Sequence, residues 1–144
     1  MKTFFIGFSI LAAVFYTACN SRSEGSNITA SSPNSLQTGP IISNGIRQLA
    51  NKQACMVNNR FMGKDQIPAL ANKKMYYGCC EGCVAALKKD DLYHYADDPT
   101  TGQQVDKSMA VIILKPGSSE DVLYFASTET AKKYIDEKVK LSSK

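Results

Sequence analysis

The chain has no tryptophan and one histidine, His94. Its 17 basic residues are scattered. The closest groupings, Lys73-Lys74, Lys88-Lys89 and Lys132-Lys133, read as solvated faces. Without a basic stripe or aromatics interleaved with basic residues, the chain lacks the footprint of a nucleic-acid-binding surface. It also has no nucleophile elbow, phosphate-cradling glycine loop or spaced acid–base pair. Asp90-Asp91 and Asp97-Asp98 are adjacent pairs, which do not share a helix face and read as turn acids. The expectation is therefore a binding protein rather than an enzyme. Long apolar stretches are also scarce: Phe4 to Tyr16 is the one hydrophobic run, shorter than the roughly 20 residues a membrane span needs.

That run has the features of a signal segment. Lys2 precedes it, and the small residues Thr17-Ala18 separate it from Cys19. Residues 1–18 are read as a signal peptide. A cysteine after a small-residue cleavage site resembles a bacterial lipobox, although Tyr16 stands where leucine is usual. The resemblance implies that Cys19 is the lipidated first residue of the mature chain. Residues 19–44 then form a tether. They are rich in Ser, Asn, Thr and Gly, with Pro33 and Pro40, and show no apolar periodicity that could offset the entropy of ordering. Residues 45–144 are expected to form one small domain.

What the sequence does have is cysteine. Of five cysteines, three lie in Gly78-Cys79-Cys80-Glu81-Gly82-Cys83, and Cys55-Met56 stands upstream. Clustered thiolates suit soft ions such as Cu(I) and Zn(II). Cys80 and Cys83 have knuckle spacing, while Cys79 and Cys83 fall on one face of a helical turn. A helix N-terminus there favours the thiolate form. Gly78 and Gly82 are expected to permit a tight curl. The expected ligands are Cys55, Cys79 and Cys83, with Cys80 an alternative to Cys79 and Met56 a candidate thioether. Met62 and Met75 read as packing residues, His94 as packed or exposed rather than a ligand, and Glu81 as an acid suited to a helix start.

The expected fold class is α+β, a small antiparallel sheet of hairpins with helices packed on it. A short helix is expected over Ile46–Gln53, capped by Asn44, and an extended piece at Cys55–Val57. A hairpin follows, Ile67–Ala71 with Met75–Tyr77 around Asn72-Lys73, and then a helix through Val84–Lys88. Ala110–Leu114 and Val122–Phe125 are expected strands, followed by a helix from Thr128 to Val139 capped by Ser127. Met75-Tyr76-Tyr77-Gly78-Cys79-Cys80-Glu81 matches Leu123-Tyr124-Phe125-Ala126-Ser127-Thr128-Glu129 in pattern. This suggests two hairpin-plus-helix units, of which one carries chemistry.

An early cysteine, then a hairpin ending in aromatics and a compact cysteine knuckle, resembles the YHS and TRASH-type heavy-metal domains over residues 54–100. The lipobox and Cys55-Met56 are similar to the NosL-type copper-binding lipoproteins. The resemblance implies trafficking, buffering, sensing or resistance of a soft metal, copper first and zinc second. It places the protein on a bacterial envelope membrane through its lipid, facing the periplasm or exterior, with a metal transporter or metalloenzyme as partner. Three alternatives remain open. They are a disulfide framework among Cys55, Cys79, Cys80 and Cys83, a thiol oxidoreductase using Cys80 and Cys83, and a structural zinc site.

Overall fold

The Asn44-Gly45 dipeptide sets the start of the fold. Both residues lie at positive φ, 48° and 76°, the backbone of a two-residue hairpin turn. They join strand β1 (Ile41–Ser43) to strand β2 (Ile46–Leu49). This corrects two expectations. The stretch expected to be helical is a strand followed by a 3₁₀ turn at Asn51–Gln53, because the Asn-Gly turn dictates a hairpin and Asn44 serves as its corner rather than as a cap. The folded part also begins before residue 45, since β1 lies inside the stretch read as tether. The computed structural model describes residues 39–143. The signal segment, Cys19 and the tether before residue 39 lie outside them.

Strands β3 (Ala54–Cys55) and β4 (Arg60–Phe61) form a short pair around the turn 56–59. Strands β5 (Ile67–Ala71) and β6 (Lys74–Gly78) form the expected hairpin, with Asn72 and Lys73 at φ 50° and 62°. Helix α1 (Glu81–Lys89) follows, then a 3₁₀ turn over Asp91–His94 and the small pair β7 (Tyr95–Asp97) and β8 (Gln104–Asp106). Strands β9 (Val111–Leu114) and β10 (Val122–Phe125) pair in register, and helix α2 (Thr128–Ser142) closes the domain. Ser127 caps α2 through a reciprocal box with Thr130. The class is α+β, built among the described residues from several small antiparallel sheets and two α-helices.

The main sheet runs in the order β1-β2-β9-β10. Alternate residues of a strand face opposite sides, and β9 is apolar on both because both are covered. Ile112 joins Leu49, Met56, Tyr76, Leu87 and Tyr124 in the larger core. Ile113 joins Phe125, Ala131 and Ile135 beneath α2. The continuous apolar run 110–114 is thus the wall shared by two cores. His94 is buried, stacked on Tyr76 with ring centroids 4.0 Å apart and with Nε2 2.6 Å from the Leu87 carbonyl.

The two hairpin-plus-helix units are visible. β5-β6 leads into α1, and β9-β10 into α2. The residues before the helices, Cys80 (φ −155°, ψ 169°) and Ser127 (φ −153°, ψ 168°), share one extended backbone conformation. Cys80 therefore corresponds to Ser127. The sequence pattern paired Cys79 with Ser127. If the aromatics are matched instead, the first unit has one extra residue between the aromatic pair and the helix.

Asp98 ties the β7–β8 loop to the second unit. It is fully buried, and its carboxylate accepts from the Thr100 amide at 2.8 Å and the Ala126 amide at 2.9 Å. Burial opposes its ionisation, but these amides, with Thr130 and the Thr101 amide, outweigh burial and hold the carboxyl below its ordinary range. A carboxyl whose folded pKa is depressed releases its proton more readily when folded. Its stabilising effect is complete above the unfolded value of about 3.9 and is lost as pH falls through the folded value. Asp98→Asn should cost about 1–3 kcal/mol at neutral pH and give a shallower loss of stability on acidification below about pH 4. Urea unfolding across pH measures both, and an unchanged acid slope would remove Asp98 from that role.

Candidate metal centre

Three elements bring sulfur to one point. Cys55 ends β3, Cys79 follows β6, and Cys83 is the third residue of α1. The hairpin and helix approach closely because Gly78 has no side chain. A β-carbon there would sit 2.9 Å from Cβ of Cys83 and 3.0 Å from the Val84 amide nitrogen. This corrects the expected reason for the glycine: neither Gly78 nor Gly82 is among the residues at positive φ, and Gly78 is needed for proximity. At Gly82 a β-carbon would meet only the Cys80 sulfur, at 3.8 Å.

The Cys79 and Cys83 sulfurs are 3.6 Å apart and those of Cys55 and Cys83 are 3.8 Å apart. All three lie within 4.8 Å of one another. Sulfurs each about 2.3 Å from a tetrahedral ion stand about 3.8 Å apart. The group can therefore hold a metal ion. No disulfide joins the four described cysteines.

The sulfurs differ in environment. Cys55 is fully buried. Burial works against its thiolate, but the amides of Asn58, Cys79 and Val57 outweigh that and hold its thiol below the ordinary value. The turn after β3 thus favours the charged form of Cys55. Burial, then contact with the thiols of Cys80, Cys79 and Cys55, pushes Cys83 up to about 12. Cys79 is raised chiefly by its contact with the Cys55 sulfur, and its own sulfur lies 3.8 Å from the Asn58 side-chain amide nitrogen. Cys80 is exposed, and the amide of Cys83 at the start of α1 is the largest influence lowering it. Three neighbouring thiols cannot all ionise cheaply in this space, whereas a cation would allow it.

Among the expected ligands, the structure brings Cys55, Cys79 and Cys83 together and leaves Cys80 on the outer rim. Met56 is fully buried, and its side chain belongs to the larger core. Glu81 lies in the first turn of α1. Cys79 borders a cleft of about 500 Å³ lined also by Asn58, Arg60, Phe61, Met62 and Glu120. Arg60 and Glu120 form an ion pair across it. Met62 is thus part of a cleft wall and 39% exposed, which corrects its reading as a packing residue.

Two residues near the site escaped the sequence reading. Asn58 contributes through its amide and its side chain. Lys107, 3% exposed, donates from Nζ to the Met56 carbonyl and to Asn59 Oδ1, both at 2.7 Å. Burial pushes its pKa down to about 8, while the charge of Cys55 works the other way. No cysteine spacing points to a lysine so far along the chain. No family model, curated protein or solved structure matches the chain.

Gly78→Ala should lower stability by about 1–3 kcal/mol, as overpacking does. Gly82→Ala should be neutral or stabilising by up to about 1 kcal/mol through helix propensity. Denaturant midpoints of the two variants test the contrast, and equal effects would refute the close-approach account.

Proposed function

We propose that this protein binds a soft metal ion through Cys55, Cys79 and Cys83 and traffics or buffers it outside the cytoplasm, tethered through a lipid on Cys19. The observation that carries the reading is the convergence of three sulfurs from separate elements within 4.8 Å. Among the described residues no fourth Cys, His, Asp or Glu joins the group. Structural zinc sites are almost always four-coordinate with protein ligands, so a three-sulfur set suits Cu(I) first. Zn(II) is second, with its fourth position filled from the cleft. The resemblance to TRASH-type and NosL-type proteins agrees with this reading, as does the lipobox-like segment. The partner would be a transporter or metalloenzyme that exchanges the ion.

A second reading rests on the contrast within Cys80-Glu81-Gly82-Cys83. An exposed thiol lowered at a helix start and a buried raised one is a dithiol redox profile. Against it, the Cys83 sulfur lies 3.6 Å from that of Cys79 and 3.8 Å from that of Cys55.

Purified reduced protein, offered Cu(I) and Zn(II) in turn under anaerobic conditions, should carry one ion per chain by native mass spectrometry. Cys83→Ser should lose more than the roughly 10–100-fold that outer-shell changes remove, while Cys80→Ser should keep the stoichiometry. Undiminished binding by the Cys83 variant would sink the assignment. A Cys80–Cys83 disulfide that cycles with a glutathione buffer, in protein that takes up no ion, would favour the redox reading.

A further inference from the structure

Lys107 carries a charge that nothing else in the described structure balances. Its ammonium is buried, and its hydrogen-bond partners, the Met56 carbonyl and Asn59 Oδ1, are neutral. No carboxylate pairs with it among the described residues. The nearest acid in sequence, Asp106, is engaged by Lys74, Tyr76 and Ser108. The ring of Tyr124 lies 5.2 Å from Nζ, a favourable but weak contact. A buried cation without a counter-charge is costly, and native structures supply one.

The turn 56–59 shows where the counter-charge lies. It begins at Met56, the residue after Cys55, and its Asn58 and Val57 amides favour charge on the Cys55 sulfur. Its Met56 carbonyl and Asn59 side chain hold the ammonium. Asn59 reaches this position at φ 54°, in the left-handed region. One short turn, residues 56–59, therefore links Cys55 to the groups that hold the Lys107 ammonium. The Tyr124 hydroxyl, buried and without a partner among the described residues, lies within reach of the same Cys55 charge.

We propose that Lys107 is the built-in counter-charge of the metal–thiolate site and sets its preference by the charge of the ion. The inference rests on the metal-binding reading above. Three thiolates leave two net negative charges around a monovalent ion, one around a divalent ion and none around a trivalent one. A fixed nearby cation therefore helps Cu(I) most, Cd(II) or Zn(II) less, and arsenite, bound as As(III), least.

The test compares wild type and Lys107→Met for Cu(I), Cd(II) and arsenite, by chelator competition for the two metals and calorimetry for arsenite. The expected loss is about tenfold per net negative charge on the site: about a hundredfold for Cu(I), about tenfold for Cd(II) and none beyond about twofold for arsenite. Lys107→Arg should restore the order. A purely structural role would weaken all three alike, and that result, or no change in any, overturns the inference. Should the Met variant fail to fold, Lys107→Gln removes the charge while keeping donors for the Met56 and Asn59 oxygens, and the same graded loss is required of it. Wild-type protein that binds none of the three ions would overturn the metal reading itself, and this inference with it.

Discussion

Three sulfur atoms within contact distance, two of them on buried residues, are a poor arrangement for a protein to adopt without a reason. Thiols are weak hydrogen-bonding groups, and packing them together satisfies little. Ionising more than one adds repulsion in a site that already disfavours charge. The geometry nevertheless arises from the firmest features of the fold. Cys83 is fixed by α1, Cys79 by the end of β6, and Cys55 by pairing with Arg60 in the β3–β4 ladder. The turn behind Cys55 is itself anchored to the second unit, through the Val122 amide on the Asn59 carbonyl and the Phe61 amide on the Glu120 carbonyl. Both units thus contribute to holding three sulfurs together, and that convergence gains a rationale when a cation sits among them.

The repeated unit shows how little separates a scaffold element from a site. β9-β10-α2 and β5-β6-α1 share a strand, an aromatic pair and an extended residue before the helix. In the second unit that residue is Ser127, whose hydroxyl accepts from the Thr130 amide. In the first it is Cys80, which makes no such cap. The first unit loses the stability of a cap, typically about 1 kcal/mol. It has one more residue between its aromatic pair and the helix, and there Cys79 reaches the helix's own Cys83. Local stability has been exchanged for a thiol cluster, the kind of local inconsistency expected at functional sites.

Much of this was legible in the chain. The Asn72-Lys73 hairpin, the helix after the knuckle, strands β9 and β10 and the Ser127 cap follow from turn chemistry and apolar periodicity. Cys55, Cys79 and Cys83 were the first choice from the cysteine cluster and its TRASH-type resemblance, with Cys80 an alternative to Cys79. What was misread has physical causes. Ile46, Leu49 and Ala50 fit a helical period, but the Asn44-Gly45 turn overrode it and recruited Ile41–Ser43 into the sheet. Gly78 was credited to backbone freedom when the reason is a neighbouring helix, a tertiary fact invisible locally. Met56, beside Cys55 in sequence, packs in the larger core. Lys107 was overlooked because a buried lysine far along the chain leaves no mark in a cysteine motif.

The openness of the site bears on what it is for. A structural zinc site encloses its ion in four protein ligands. Here Cys55 and Cys83 are buried, Cys79 borders a cleft of about 500 Å³, and Cys80 stands exposed on the rim. On the proposed reading, an ion held by three sulfurs would have two buried ligands that retain it and one edge from which it can be approached. A soft ion moves between proteins most easily when an incoming ligand bonds before an outgoing one leaves. That requires an accessible edge and a spare thiolate nearby, and Cys80, favoured as thiolate by the start of α1, is placed to be the spare. The same openness would weaken a purely structural site by admitting competing ligands, so the asymmetry of exposure argues for exchange over permanent retention.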